Sequence, residues 1–159
     1  MDSYSQFIAK SRYARYIESA NKRETWKETV QRYMDFMVGH LESNVGHIVD
    51  PVTKNKVQRA IENLEVVPSM RAIMTSGKAL ARDNVAGYNC SYLPIDDPKS
   101  FDEAMYILLC GTGVGFSVEQ KYISKLPEVP EKLFESETTI VVSDSKEGWA
   151  KGYRQLLAL

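Results

Sequence analysis

The chain has 159 residues and a formal net charge of -1, with 20 Lys and Arg against 21 Asp and Glu. Hydrophobic residues make up 43% of it and charged residues 26%, which is typical of about one soluble globular domain. There is no basic excess to attract nucleic acid, and no apolar run approaches the roughly 20 residues that span a bilayer. We therefore expect no DNA partner, no membrane and a cytoplasmic location.

The first half of the sequence has helical periodicity. Apolar residues recur at helical spacing at Trp26, Val30, Tyr33, Met34, Met37 and Leu41. Thr25 and Glu28 stand in capping-box register at their start, which predicts a helix of about five turns. A shorter amphipathic helix is predicted after the Asp50-Pro51 turn, and two short helical pieces broken at Gly77 follow it.

The charged and metal-ligating side chains of this half form no ligand pattern. His40 and His47 are far from either cysteine in sequence, so no zinc-ligand spacing exists. We expect Arg23, Arg32 and Arg59 to lie on solvated faces. The alternative is that these arginines pack on further parts of a larger enzyme.

The second half predicts a strand, a helix and a strand in succession. The first strand is predicted over residues 88–95, and Asp97 with Pro98 then opens a helix that stops at Gly111. The second strand is predicted over residues 114–121, parallel to the first because a helix connects them. The predicted buried stripe of this helix consists of Phe101, Met105 and Leu108.

The last part of the chain predicts one further strand and one further helix. The strand covers residues 138–142, and the helix covers residues 144–159 with Trp149 and Tyr153 on it. Residues 155–159 are mostly apolar and contain no Gly, Asn or Pro to close the helix. This pattern favours truncation at the C-terminus, although a natural end could also fray there.

Two motifs flank the predicted connecting helix. Residues 83–92 (DNVAGYNCSY) contain Cys90, and residues 110–119 (CGTGVGFSVE) contain a glycine-rich turn. The turn lacks the Lys-Ser/Thr of a P-loop and enters a strand where a dinucleotide fingerprint would enter a helix, so both of those interpretations fail. Two cysteines are too few for a secreted disulfide framework, and each is therefore expected to be catalytic or simply buried.

On these residues the sequence resembles the adenosylcobalamin-dependent ribonucleoside-triphosphate reductases, the monomeric class II ribonucleotide reductases. The similarity continues through residues 69–71 (SMR), 126–131 (LPEVPE) and 144–151 (DSKEGWAK). Residues 23–26 (RETW) favour this class over the iron-dependent ones. The resemblance covers nearly the whole chain, but only the first part of the family.

The resemblance implies an incomplete α/β fold. Residues 1–68 would form the N-terminal helical region. Residues 69–159 would form the opening strand-helix-strand units of the reductase α/β barrel, together with segments of the effector site. The chain would then be an N-terminal fragment, either half of a split enzyme or a truncated product.

The resemblance also implies a function. Such reductases convert ribonucleoside triphosphates to 2'-deoxyribonucleotides for DNA synthesis by radical chemistry, with adenosylcobalamin as cofactor and thioredoxin or another dithiol as reductant. Cys90 would be one redox-active thiol, while its partner, the radical cysteine and the cobalamin-binding segments would lie outside this chain. The chain alone is therefore expected to be inactive, and a second chain carrying the rest of the reductase is a predicted partner. Cys110 is expected to serve packing.

Two binding regions follow from the same resemblance. The residues implied for the ribonucleotide substrate are Asn89, Ser91, Gly111, Thr112, Gly113 and Gly115. The residues implied for a deoxynucleoside triphosphate effector are Val118, Glu119, Lys121, Lys125, Lys146 and Asp97. The three lysines suit phosphate on charge grounds, although a loop lysine is more often merely solvated. Asp97 also has a helix-capping role that explains it without a ligand.

Other hypotheses stay open at this stage. The chain could be a nucleotide-binding or regulatory module without chemistry, or a truncated gene remnant without function. Only the reductase hypothesis predicts activity when a second chain with the missing cysteines is added. Failure to fold as a soluble monomer would favour the remnant. Whether the substrates are triphosphates or diphosphates also stays open.

Overall fold

The structure, a computed structural model, describes all 159 residues and divides into two compact units, Met1–Gly87 and Tyr88–Leu159. It combines helices with small sheets, so the mixed α/β class is confirmed. The division after Gly87 lies later than the boundary predicted after residue 68. The boundary after residue 68, where a reductase barrel would begin, stays a prediction.

The first unit is mainly helical. Its helices are α1 (Ser3–Ile8), α2 (Trp26–His40), α3 (Pro51–Glu62), α4 (Met70–Thr75) and α5 (Lys78–Arg82). Two short antiparallel strands, β1 (Tyr16–Ile17) and β2 (Lys22–Arg23), precede α2. The sequence did not predict this pair, because two-residue strands are too short to show periodicity.

The start of α2 confirms the predicted capping box. The Glu28 N–H donates to Thr25 Oγ1 at 3.3 Å, and the Thr25 N–H donates to Glu28 Oε2 at 2.7 Å. The Trp26 indole N–H donates to the Glu62 carbonyl at 3.2 Å, which ties α2 to the end of α3. The helical break at Gly77 is also confirmed, with a φ of 109° that favours glycine.

The hydrophobic core of the first unit lies between α2 and α3. Val30, Met34 and Ile61 are buried there, as the helical stripes predicted. Asp50 accepts N–H groups from Val52 and Thr53, so α3 begins at the predicted turn. Apolar periodicity and capping residues together were sufficient to predict this pair of helices.

Arg32 does not lie on a solvated face, and that prediction is wrong. Its Nε donates to Glu24 Oε1 at 2.8 Å and its Nη2 to Glu24 Oε2 at 3.0 Å. Its remaining donors reach the carbonyls of Tyr13, Ile73 and Ser76. Helical spacing cannot reveal this burial, because the buried carboxylate precedes the helix. Arg59 is exposed, as predicted.

The second unit contains the predicted strand-helix-strand sequence. Its elements are β3 (Cys90–Pro94), α6 (Lys99–Leu109), β4 (Gly113–Ser117), α7 (Gln120–Ile123) and α8 (Lys146–Leu157). The strands β3 and β4 pair in parallel, as predicted. Asp97 Oδ1 accepts the Lys99 N–H at 2.8 Å at the start of α6. The helix ends before Gly111, whose φ is 85°, as predicted.

The predicted buried stripe of α6 is wrong. Phe101 is 38% exposed and Leu108 is 56% exposed, whereas Asp102 is buried. The reason is that α6 packs on α8 through a different face. On that face Asp102 accepts two hydrogen bonds from Arg154, and Tyr106 lies under Lys146.

The predicted strand at residues 138–142 is also wrong, since these residues pair with no other strand. Ile140 and Val142 lie instead against α8, where a side chain added at Gly152 would meet Val142 Cγ2 at 2.6 Å and Ile140 Cγ2 at 3.8 Å. The β-branched run Thr138 to Val142 gave the strand pattern. Because Gly152 has no side chain, the surface of α8 leaves room for an extended segment, so the same pattern does not require a neighbouring strand.

Candidate functional site

Cys90 lies on the exposed face of the parallel pair of strands. In the register of β3 and β4, Cys90 pairs with Gly113 and Tyr92 pairs with Gly115. Residues paired in register share one face of a sheet, so the thiol stands beside two glycines. Cys90 is exposed and Tyr92 is 61% exposed. The result is an accessible thiol bordered by bare backbone.

The packing of the chain does not explain the two glycines. A Cβ added at Gly113 would meet only the Asn89 carbonyl oxygen at 3.5 Å, and one at Gly115 only the Ser91 oxygen at 3.7 Å. Both distances are ordinary van der Waals contacts, and neither glycine has a positive φ. These positions therefore tolerate alanine sterically, while glycine leaves the backbone open to a ligand.

Hydrogen bonds fix the glycine-rich turn against the end of β3. The Gly113 N–H donates to the Asn89 carbonyl at 2.9 Å, and the Ser91 hydroxyl donates to the Gly113 carbonyl at 3.1 Å. Thr112 is 1% exposed, and its hydroxyl donates to the Tyr88 carbonyl at 2.9 Å. The structure thus brings the predicted substrate residues Asn89, Ser91, Thr112, Gly113 and Gly115 together around Cys90, with Thr112 buried. Gly111 lies in the turn that precedes them.

Around α7 two of the predicted effector lysines share one tyrosine. Lys121 Nζ is 4.8 Å from the centre of the Tyr122 ring, and Lys125 Nζ is 5.8 Å from it. Lys121 also pairs with Glu119 at 3.2 Å, and Lys125 with Asp96 at 3.0 Å. The hydrogen bond to Glu119, with smaller effects of Tyr122, raises the pKa of Lys121. Lys121 therefore stays cationic at neutral pH.

The other predicted effector residues have separate surroundings. Lys146 Nζ donates to Cys110 Sγ at 3.0 Å, on α6 rather than on α7. Asp97 accepts the Lys99 N–H at the start of α6, and Val118 is 57% exposed just after β4. The structure therefore groups Glu119, Lys121 and Lys125 but gives Lys146 and Asp97 contacts of their own.

Tyr92 and Tyr122 belong to this region, although the sequence did not single them out. A hydrogen bond between the two hydroxyl groups, with smaller effects of burial and of nearby groups, raises the pKa of Tyr92. The two residues are far apart in sequence and follow no motif spacing. Only the parallel strand register, which places Tyr92 beside the end of β4, could have suggested their proximity.

Three further features define what the structure offers. No group of three or more His, Cys, Asp or Glu side chains is arranged to hold a metal ion. No helix in the structure combines the length and apolarity needed to cross a membrane. Neither Cys90 nor Cys110 forms a disulfide. The site therefore consists of one exposed thiol, open backbone and a nearby group of lysines and tyrosines.

The fold is that of a class II ribonucleotide reductase over this region. A solved B12-dependent (class II) ribonucleotide reductase aligns with 95% of this chain and 29% of its own, with a TM-score of 0.76 and 20% identity. No protein-family model matches the sequence.

Sequence relatives agree with that fold. The adenosylcobalamin-dependent ribonucleoside-triphosphate reductase of Lacticaseibacillus paracasei is 30% identical over 173 residues, which is 89% of this chain and 22% of that protein. The protein of the same name from Lactobacillus gasseri is 24% identical over 177 residues, covering 88% and 22%. The chain thus spans less than a quarter of these relatives, and the matches support its relationship to the class II ribonucleotide reductases.

Proposed function

We propose that this chain supplies the N-terminal part of a ribonucleotide reductase that makes 2'-deoxyribonucleotides from ribonucleoside triphosphates, and that it is inactive alone. The observation that carries the proposal is the exposed Cys90 thiol beside Gly113 and Gly115 on one sheet face. A ribose placed there can approach both the thiol and the open backbone. The sequence relatives named above act on such substrates.

Cys90 is proposed to provide half of the reducing equivalents. Two thiols lose two hydrogen atoms and become a disulfide, while the ribose 2'-hydroxyl leaves as water and hydrogen takes its place. Cys110 does not suit the second thiol, because it is buried and its sulfur accepts a hydrogen bond from Lys146. The second thiol would therefore come from a further part of the enzyme, and thioredoxin or another dithiol would reduce the disulfide.

The glycine-rich turn is proposed to bind the substrate through its backbone. Its geometry is fixed by the bonds of Thr112, Ser91 and the Gly113 N–H, so the bare backbone of Gly113 and Gly115 is presented without reorganisation. Adenosylcobalamin is proposed to bind a further part of the enzyme, as the resemblance to the family implies.

Complementation tests the proposal. The chain is mixed with the remaining part of the Lacticaseibacillus paracasei reductase, adenosylcobalamin and thioredoxin, and 2'-deoxyribonucleotide formation is measured. We expect turnover from the mixture and none from either part alone. Cys90→Ser should abolish multiple turnover, while Cys110→Ala should retain it.

A second substitution separates ligand approach from folding. Gly113→Ala should leave the stability of the chain unchanged, because its Cβ meets only ordinary contacts, but should weaken substrate binding in the mixture. Undiminished turnover of the Cys90→Ser mixture with thioredoxin would rule out the redox role. Equal substrate affinity of Gly113→Ala would rule out the backbone role.

The tyrosine and lysine group around α7 favours one alternative, a nucleotide-binding or regulatory module without chemistry. Two lysines and an aromatic ring suit a nucleotide with its phosphates. Equilibrium dialysis of the isolated chain with each deoxynucleoside triphosphate tests whether this group binds an effector. Such binding is expected both for a reductase part and for a regulatory module. Binding that is lost in Lys121→Met but kept in Lys54→Met supports it, and unchanged binding in both refutes it.

A further inference from the structure

Cys110 and Lys146 form a close pair outside the proposed substrate site. Cys110 ends α6 and Lys146 begins α8, and Nζ donates to Sγ at 3.0 Å. The Lys146 ammonium also lies 5.0 Å from the centre of the Tyr106 ring, within the range of a cation–π contact. Ser145 Oγ accepts the Gly148 N–H at 3.0 Å, which fixes the start of α8 at this point. Two helices thus hold a sulfur and an amine nitrogen together.

We infer that Cys110 and Lys146 are an oxidative modification site, where a peroxide joins the two side chains through a sulfur–nitrogen bond. In the first step the sulfur takes one oxygen from the peroxide, and the products are a sulfenic acid and water. In the second step Nζ, after releasing its ammonium proton to solvent, attacks the sulfur. The sulfenic hydroxyl leaves with one amine hydrogen as water. In total the chain loses two hydrogen atoms, and the one peroxide that accepts the two electrons ends as two molecules of water.

The surroundings favour this product over the usual ones. Cys110 is 9% exposed, so a thiol, which is bulkier than a peroxide molecule, has poor access to its sulfenic acid. The Lys146 amine is already in contact, and a sulfenic acid condenses with a neighbouring nitrogen when no thiol reaches it. Cys90 is exposed and lacks this arrangement, so it should oxidise further or pair with external thiols.

The cross-link would join the end of α6 to the start of α8. Gly111 follows Cys110 directly and has the positive φ of the turn into β4. Oxidation would therefore fix the turn at Gly111, which leads into Gly113 and Gly115 beside Cys90. Excess dithiol would reverse it, since a thiol attacks the sulfur and releases the amine.

Peptide mapping of the full chain tests the inference. The Cys90→Ser variant is used, because it excludes a Cys90–Cys110 disulfide of the same mass change. After treatment with hydrogen peroxide and digestion with trypsin, we expect a cross-linked pair of peptides that contain Cys110 and Lys146, with no cleavage after Lys146. The pair should be lighter by two hydrogen atoms than its parts and should separate in dithiothreitol.

The matched control is Lys146→Arg in the same background, which keeps the positive charge but lacks the amine. It should give no cross-linked pair, and circular dichroism checks that it is folded. The inference is overturned if Cys110 of the Cys90→Ser chain is recovered as thiol, sulfinic or sulfonic acid with Lys146 cleaved normally. It is also overturned if the cross-link joins another lysine or persists in the Lys146→Arg variant.

Discussion

The two units each bury a carboxylate against an arginine, and the two pairs differ in completeness. In the first unit both oxygens of Glu24 accept hydrogen bonds from Arg32, whose side chain is 16% exposed. In the second unit Nε and Nη2 of Arg154 both donate to Oδ2 of Asp102, and Oδ1 has no partner. The Arg154 side chain is 50% exposed. Glu24 is therefore part of a closed network, whereas Asp102 is only half satisfied.

Burial alone therefore does not measure the contribution of an ion pair to the stability of the fold. A buried pair stabilises a fold when all its polar atoms are satisfied, because the desolvation cost is otherwise not offset. Arg32 also binds carbonyls of Tyr13, Ile73 and Ser76, so it links separate segments of its unit. Arg154 links two helices. We expect the two pairs to respond differently to the same perturbations.

Glu24→Gln should lower the stability of the chain more than Asp102→Asn or Lys121→Met does. This change removes the charge that compensates Arg32 and leaves a largely buried guanidinium, so it should destabilise the first unit by about 3 kcal/mol. Urea denaturation measures the loss. A loss below about 1 kcal/mol, the size of one ordinary hydrogen bond, would contradict the importance of the closed network.

Acid should act on the same pair. Burial pushes the pKa of Glu24 upward, but the hydrogen bonds from Arg32, from the Arg15 N–H and from Thr29 outweigh it and lower the pKa below its ordinary 4.5. A lowered pKa means that the stabilisation is present above pH 4.5 and is lost as the pH falls through the folded value. Urea midpoints across acidic pH should show this loss. In Glu24→Gln the stability should depend less on acidic pH. If its urea midpoints changed with pH as those of the unchanged chain do, Glu24 would not be the group responsible.

Asp102→Asn should have a smaller effect than Glu24→Gln. Arg154 can reach solvent when its partner is neutral, and the amide can still accept a hydrogen bond at the same position. We expect less than half of the stability loss found for Glu24→Gln. Equal losses in parallel urea titrations would show that the unpartnered Oδ1 of Asp102 does not distinguish the pairs.

The smallest effect is expected for Lys121→Met. Both Lys121 and Glu119 are more than half exposed, and exposed pairs contribute little because water and salt screen them. The urea midpoint should be unchanged, with Lys22→Met as a matched exposed control. A clear loss of stability would show that the lysine and tyrosine group around α7 is structural rather than available for a ligand.

The sequence predicted those parts of the fold that depend on local signals. The capping box at Thr25, the break at Gly77 and the parallel strands on either side of α6 follow from short-range rules. The burial of Arg32 and the packed face of α6 did not, because both depend on partners distant in sequence. The strand predicted at residues 138–142 failed because β-branched residues indicate an extended chain, not the element that it packs on.

The candidate site shows the same division. The motifs in the sequence predicted that Cys90 and the glycine-rich turn lie close together. The strand register of the structure shows which residues are paired, with Cys90 beside Gly113. The proximity of Tyr92 to Tyr122 and of Cys110 to Lys146 has no signal in the sequence. Such contacts arise from tertiary packing between separate elements, which local patterns do not encode.

The bond between the Trp26 indole and the Glu62 carbonyl has a practical consequence for spectroscopy. The chain contains two tryptophans; Trp26 is held in the first unit by this bond, and Trp149 is 51% exposed in the second. Their fluorescence should differ in emission wavelength and in accessibility to quenchers. Each unit thus carries its own optical reporter, and replacing either tryptophan by phenylalanine lets the melting of one unit be followed separately from the other.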